Sequence, residues 1–334
     1  AEALDRLWSI PGAVAVQPTH CVLAPETSPK PVSVPDAFTG YIPRDWQESS
    51  YSGLARGSRD PAEELLRKPE EARGADLPRV PRASDAPRTR HHFPAGSSWG
   101  SLLHELMEQA DFSRAANEEP NASLIAVLCR RQPALQDWGG VVGEFLDGLR
   151  TCPIGGVTGF RLADLPEDAR VAEMRFELPV DRIHTAGLDA LLRAHEPIAR
   201  DAPVLRARSV RGILKGSIDL VACHAGRYYL IDYKSTWLGE SAAQYTQARI
   251  EEDIRSHRYE LQYTLSTVAL VRLLRARLGP AFDYGQHVGG AIYLYLRALG
   301  GGLAADGTPA GVFLRRPEPA LIAGIEAMLG GPSG

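Results

Sequence analysis

Gly216–Ser235, GSIDLVACHAGRYYLIDYKS, is the stretch that decides the fold. Two apolar, β-branched runs flank the small-residue turn HAGR (224–227), which is the pattern of a β-hairpin. A turn centred on Ala225–Gly226 sets His224 against Arg227, Val221 against Leu230 and Leu220 against Ile231. The same register carries Asp219 opposite Asp232, where Cβ atoms of facing residues lie about 4.5–5.5 Å apart on one face. Lys234 lies two residues past Asp232 and points to that face as well.

Two opposed carboxylates on an apolar sheet repel each other and lose hydration. Protonation of one acid, a side-chain cation between them, or a divalent metal bound by both would relieve that cost. The plain alternative is a solvated strand end with an incidental Asp–Lys pair. Gly216, three residues before Asp219, permits close approach of a backbone or a ligand. An acid and a base side by side, facing a second acid, suit metal-assisted phosphodiester hydrolysis. Hard oxygen ligands hold Mg2+ or Mn2+, the metal acidifies water, and a lysine stabilises phosphate charge or orients the attacking water.

Outward from the hairpin, strands interleave with helices. VAEMRFELPV (171–180) alternates like a strand and is followed by helical spacing over 185–195. A long helix is expected over 259–278, a strand over 287–299 and a last helix over 318–329. Toward the N-terminus, SWGSLLHELMEQA (98–110) and the segments 119–131 and 134–149 read as helices. The fold class is α/β. The first 50 residues are Pro-rich and loop-like, with apolar patches AVAVQ and CVLAP. Residues 54–92 are charged, dotted with Pro and poor in large apolar side chains, as in a linker. The expected organisation is therefore 1–53, a linker over 54–92 and a main domain over 93–334.

The chain has 334 residues, 44% hydrophobic and 23% charged, with a formal net charge of −4. That gives no global footprint for nucleic acid and leaves room only for a local basic channel. The four cysteines, Cys21, Cys129, Cys152 and Cys223, form no CxxC pair, which argues against a zinc or iron–sulfur clip and favours a reducing compartment. No apolar run reaches roughly 18 residues, so no membrane span is expected. The start, AEALDRLW, lacks Met and a signal-peptide pattern and reads as a cut within a longer protein. There is no GxxxxGK[ST], hence no P-loop ATP site.

His104 sits among Leu103, Leu106 and Met107, with Gly100 one turn before and Glu108 one turn after. By itself it reads as a histidine at the edge of an apolar face, paired with Glu108. It gains a role only if its helix packs over the acidic end of the hairpin, where an imidazole could complete a metal shell. Arg206, Arg208, Arg211 and Lys215 precede the first acidic strand and suit either a phosphate-binding groove or a solvated strand face. Trp237 suits either stacking on a base or packing. His91 and His92 fall in the linker and suggest no role.

In order, G-x-x-x-H-x-x-x-E (Gly100, His104, Glu108), G-x-x-D (Gly216, Asp219) and D-Y-K (Asp232, Tyr233, Lys234) resemble the motifs of the RecB nuclease family. The matching segments are VRGILKGSIDLVACHAGRYYLIDYKSTWLG (210–239), HRYELQYTLSTVALVRLL (257–274) and GGAIYLYLRAL (289–299), and the resemblance runs from about Trp46 to the end. It implies a restriction-endonuclease-like core, a central mixed β-sheet flanked by helices. His104, Asp219, Asp232 and the Tyr233 carbonyl would bind Mg2+ (or Mn2+), and Lys234 would be catalytic. Glu173, on the preceding strand, would support the site.

The family pattern Q-x-x-x-Y is met by Gln262, but Ser266 stands where the tyrosine belongs. Tyr259 and Tyr263 lie on the same helix at another angle. The resemblance further implies a deoxyribonuclease of the exodeoxyribonuclease V type in bacterial cytoplasm, acting in double-strand break repair and recombination. It would cut single strands of DNA delivered by a helicase motor and assemble with RecC- and RecD-type subunits. On that reading residues 1–53 close a helicase region and 54–92 tether it to the nuclease. The missing tyrosine supports a rival, a non-catalytic nuclease-like module that guides DNA and docks partners.

Overall fold

The computed structural model describes residues 46–55, 88–154 and 159–330. The patches AVAVQ and CVLAP and most of the expected linker lie outside them. Strand β1 (Trp46–Ser50) runs into the short helix α1 (Tyr51–Ala55). Helices α2 (Ser97–Gln109), α3 (Asn121–Arg130) and α4 (Gly139–Thr151) follow. Then come β2 (Arg170–His184), α5 (Thr185–His195), β3 (Ser209–His224) and β4 (Arg227–Lys234). The chain continues through α6 (Gln247–His257), α7 (Tyr259–Leu278), α8 (Tyr284–His287), β5 (Val288–Tyr295), β6 (Val312–Arg315) and α9 (Pro319–Met328).

Among the described residues six strands form one mixed sheet, and the hairpin at its centre has the expected register. His224 pairs with Arg227, Val221 with Leu230 and Leu220 with Ile231. Ala225 and Gly226 both take positive φ (49° and 76°), as a two-residue turn matching the strand twist requires. The ladder stops at Leu220–Ile231, one pair short of the acids.

β3 explains the gap. Along one edge it pairs antiparallel with β2. The other edge is shared: β1 runs parallel to Arg211–Lys215, and β4 takes Leu220–His224. Residues 216–219 fall between those two ladders, so the sheet opens there. β4 continues parallel to β5, and β5 antiparallel to β6.

Side-chain alternation divides the core between the two faces. Val221, Leu230 and Tyr293 join α5, α7 and α9 in one apolar cluster. Leu220, Ile231 and Tyr233 join α2, α3 and α4 in the other. The opening in the sheet is therefore reached by α7 from one face and α2 from the other.

Five elements go beyond the sequence expectation, the short helices α1 and α8 among them. β1 lies in a stretch expected to be loop-like, and its register with β3 makes residues 46–50 part of this sheet. α6 (QARIEEDIRSH) hides among polar residues. β6 has only four residues. The expected helix at 134 starts at Gly139 instead, after a single 3-10 turn at Pro133–Leu135. The expected strand 287–299 stops at Tyr295 because the chain turns there.

Candidate active site

The site is built where the hairpin opens. Gly100 on α2 faces the end of β4, and a Cβ there would sit 3.1 Å from Ser235 Oγ. That close approach brings His104 over the acids. Its Nδ1 lies 3.4 Å from Asp219 Oδ2, so its carboxylate neighbour is Asp219 rather than Glu108. Its ring meets Tyr233 edge-on at 5.9 Å.

Asp219 Oδ2 accepts the Tyr233 backbone N–H at 2.8 Å, so a side chain stands in for the ladder at this point. On β2, Ala172 pairs with Leu220 and Met174 with Ile218. Glu173, between them and opposite Asp219, is left out of the ladder and takes φ 48°. Left-handed backbone is uncommon for a residue with a side chain, and inside a strand it re-aims that side chain. Ser217 Oγ donates to Glu173 Oε2 at 2.9 Å. Ligand atoms of His104, Glu173 and Asp219 all fall within 4.8 Å of one another.

Asp232 stands outside that group, although it lines the same cleft of about 540 Å3. Its Oδ2 is 2.7 Å from Lys234 Nζ, and its Oδ1 accepts Gln262 Nε2 at 2.6 Å. Gln262 Oε1 accepts from Lys234 Nζ at 3.0 Å and from the Tyr293 hydroxyl at 3.2 Å. The Lys234 ammonium also sits 3.7 Å from the Tyr259 ring centre and 4.6 Å from that of Tyr293. Aromatic faces stabilise a desolvated cation.

Burial, reinforced by the charge of Asp232, raises Asp219 to about 7, against the opposing pull of His104, the Tyr233 N–H and Lys234. Burial alone would lower Lys234, but Asp232 and Tyr51 turn the net shift upward. The cleft thus holds a permanent cation beside a carboxylate that lacks enough positive charge around it. A divalent ion would supply that charge, and the donor set of carboxylates with one imidazole is one that hard divalent cations accept.

His104, Glu173, Asp219, Asp232, Tyr233, Lys234 and Gln262 all line this one cleft. The Tyr259–Lys234 contact was missed by sequence reasoning, though Tyr259 lies one helical turn before Gln262 and so shares its face. Tyr263 turns away and packs near Phe313, and Ser266 is buried. Arg297 was missed as well. It is 2% exposed and donates to the carbonyls of Arg90, Phe93, Pro94 and Ser235, joining the lead-in of α2 to the end of β4. The sequence signal was a lone arginine in YLYLRAL. His91, expected to be idle, reaches the Gly239 carbonyl at 3.1 Å.

Three of the four basic residues before Asp219 meet partners within the chain. Lys215 lies between Glu48 (2.8 Å) and Glu177 (3.3 Å), Arg211 lies 3.9 Å from Asp181, and Arg208 donates to the Gly53 carbonyl. Among the described residues no helix is long and apolar enough to cross a membrane.

The chain is similar to known proteins. The chain is 37% identical over 297 residues to the RecBCD enzyme subunit RecB of Escherichia coli K12, covering 87% of this chain and 24% of that protein. The RecB subunits of Haemophilus influenzae and Mycolicibacterium smegmatis are each 30% identical, over 87% and 98% of this chain. The chain spans 24% and 33% of those two relatives. A family profile matches residues 77–310. That match spans β2–β5 and every side chain of the cleft's acid–lysine–imidazole set, and by it this chain belongs to the PD-(D/E)XK nuclease superfamily.

Proposed function

We propose that the chain is a Mg2+-dependent deoxyribonuclease that hydrolyses phosphodiester bonds of single strands unwound by a helicase, in break repair and recombination. The observation that supports this best is the joint presence of a close His104–Glu173–Asp219 group and a charged, caged Lys234 in one cleft. His104, Asp219, Asp232 and the Tyr233 carbonyl would hold the cation, with Glu173 in reach of it. A divalent cation there supplies positive charge to the phosphate and acidifies nearby water.

The protein's own groups do the rest. Lys234 offers a fixed ammonium to a phosphate oxygen or to the attacking water. Gln262 holds Lys234 and Asp232 in register. Tyr259 covers the ammonium where the family tyrosine is replaced by Ser266. By its similarity to RecB subunits, the chain would work beside RecC- and RecD-type partners in bacterial cytoplasm.

The test is cleavage of end-labelled linear single-stranded DNA with Mg2+, with and without EDTA, beside Asp232→Ala. Metal-dependent cutting by the wild type and its loss in the variant are the expected result. Equal products from both proteins would move the chemistry elsewhere. No cutting by either, with no effect of Mg2+ on melting, would leave the rival reading of a non-catalytic guide for DNA.

A further inference from the structure

Trp237 lies three residues past Lys234, lines the same cleft and is half-buried. Its neighbour Leu238 packs on the first apolar cluster and Trp99 on the second. Among the described residues Trp237 belongs to neither. Among the described residues the indole therefore lies on the wall of the cleft and outside both apolar clusters.

The backbone on either side of it is tied down by hydrogen bonds from side chains, although it forms neither helix nor strand. The Ser235 carbonyl accepts from Arg297 at 2.9 Å. The Tyr245 hydroxyl meets the Thr236 carbonyl at 3.5 Å and accepts the Leu238 N–H at 3.1 Å. The Leu238 carbonyl accepts from Arg249 at 2.6 Å, and the Gly239 carbonyl meets His91 at 3.1 Å. The segment is braced on both sides of an indole that lines the cleft. An aromatic face presented from a fixed backbone is preorganised for a flat ligand, because little freedom is lost on binding.

We infer that Trp237 is a stacking platform for the unpaired nucleobase of a nucleotide next to the scissile phosphate. The inference rests on the nuclease reading above and adds the feature that selects single strands. A base can lie on the indole only when it is out of the duplex. Stacking tolerates any base, since each has a π face. Lys234 and the acids handle the phosphate, and Trp237 handles the base.

The test is fluorescence anisotropy on the whole 334-residue chain in EDTA at low salt, where no cleavage occurs. The probes are a labelled homothymidine oligonucleotide and an abasic strand of equal length. The wild type is expected to prefer the thymidine strand by about tenfold, the scale of one stacked base. Trp237→Leu, which keeps apolar bulk without a π face, should lose most of that preference while binding the abasic strand like the wild type. Trp237→Phe should keep most of it.

An unchanged preference in Trp237→Leu overturns the inference, as does an equal loss on both strands. Mg2+-dependent cleavage is read separately. A wild type that prefers bases but neither cuts nor is stabilised by Mg2+ sinks the nuclease reading and leaves the platform standing.

Discussion

At the scale of one residue, Glu173 carries the clearest trade between stability and chemistry. Its φ of 48° breaks the β2–β3 ladder and turns its carboxylate toward His104 and Asp219. Left-handed backbone costs a residue with a Cβ about 1–2 kcal/mol, and glycine escapes that cost. Glu173→Gly and Glu173→Ala remove the same carboxylate, so their difference isolates the backbone. Chemical denaturation should find the glycine variant the more stable by about 1 kcal/mol. Equal stabilities would mean that the strand relaxes once the carboxylate is gone. The sequence showed Glu173 only as an acid in an alternating strand. Nothing in VAEMRF announces a left-handed residue, because the strain is imposed by the neighbours it must reach. Lys234 and the two aspartates were legible, since charge on an apolar strand is conspicuous. The Tyr259 cage was not, since its partners are brought together only by packing.

At the scale of elements, the junction of α6 and α7 aims Gln262 and Tyr259 at the cleft. Arg258, at φ 58°, makes the turn between the two helices while almost wholly buried. It donates to Asp189 at 2.7 Å, to Glu260 and to the Pro203 carbonyl. Asp189 also takes Arg193 at 2.9 Å, and Glu196 nearby is bound by Arg315 and faces Tyr263. Burial raises Glu260 to about 7, which Arg258 only partly opposes and Glu196 adds to.

The folded protein therefore binds this proton more tightly than the unfolded chain, whose glutamate has the ordinary value near 4.5. Stability from Glu260 is full below that value and is lost as pH rises toward about 7. The whole loss is on the order of 3 kcal/mol. Glu260→Gln keeps an acceptor for Arg258 and cannot ionise. Its melting temperature should gain on the wild type between pH 4.5 and 7.5, and a gap that stays constant over that range would refute the burial argument. The helix boundaries at 259 and 278 were legible from apolar spacing. α6 was not, because its apolar residues are too few to show a period.

At the scale of the whole molecule, one opening in one sheet gathers the chemistry. β3 is long enough to pair with β1 at one end and β4 at the other, and the interval between them holds Asp219. The hairpin register was legible from the turn and the alternation. The shared edge was not, because β1 lies more than 160 positions earlier, in a stretch that reads as loop. An opening of this kind leaves carboxylates with too little positive charge nearby, and a net charge of −4 does not help from a distance.

The apo fold should therefore be stressed at Asp219, and the stress should reverse when metal binds. In EDTA, Asp219→Asn should melt at or above the wild-type temperature, because a neutral amide carries no buried charge. With Mg2+ in large excess the wild type should gain about 2–3 kcal/mol, the return for a ligand near a hundred times its Kd. The variant, lacking a ligand, should gain little. The two melting curves should thus exchange order between EDTA and Mg2+. If Asp219→Asn melts well below the wild type in EDTA, the carboxylate is structural and its hydrogen bond to Tyr233 outweighs the cost of its charge.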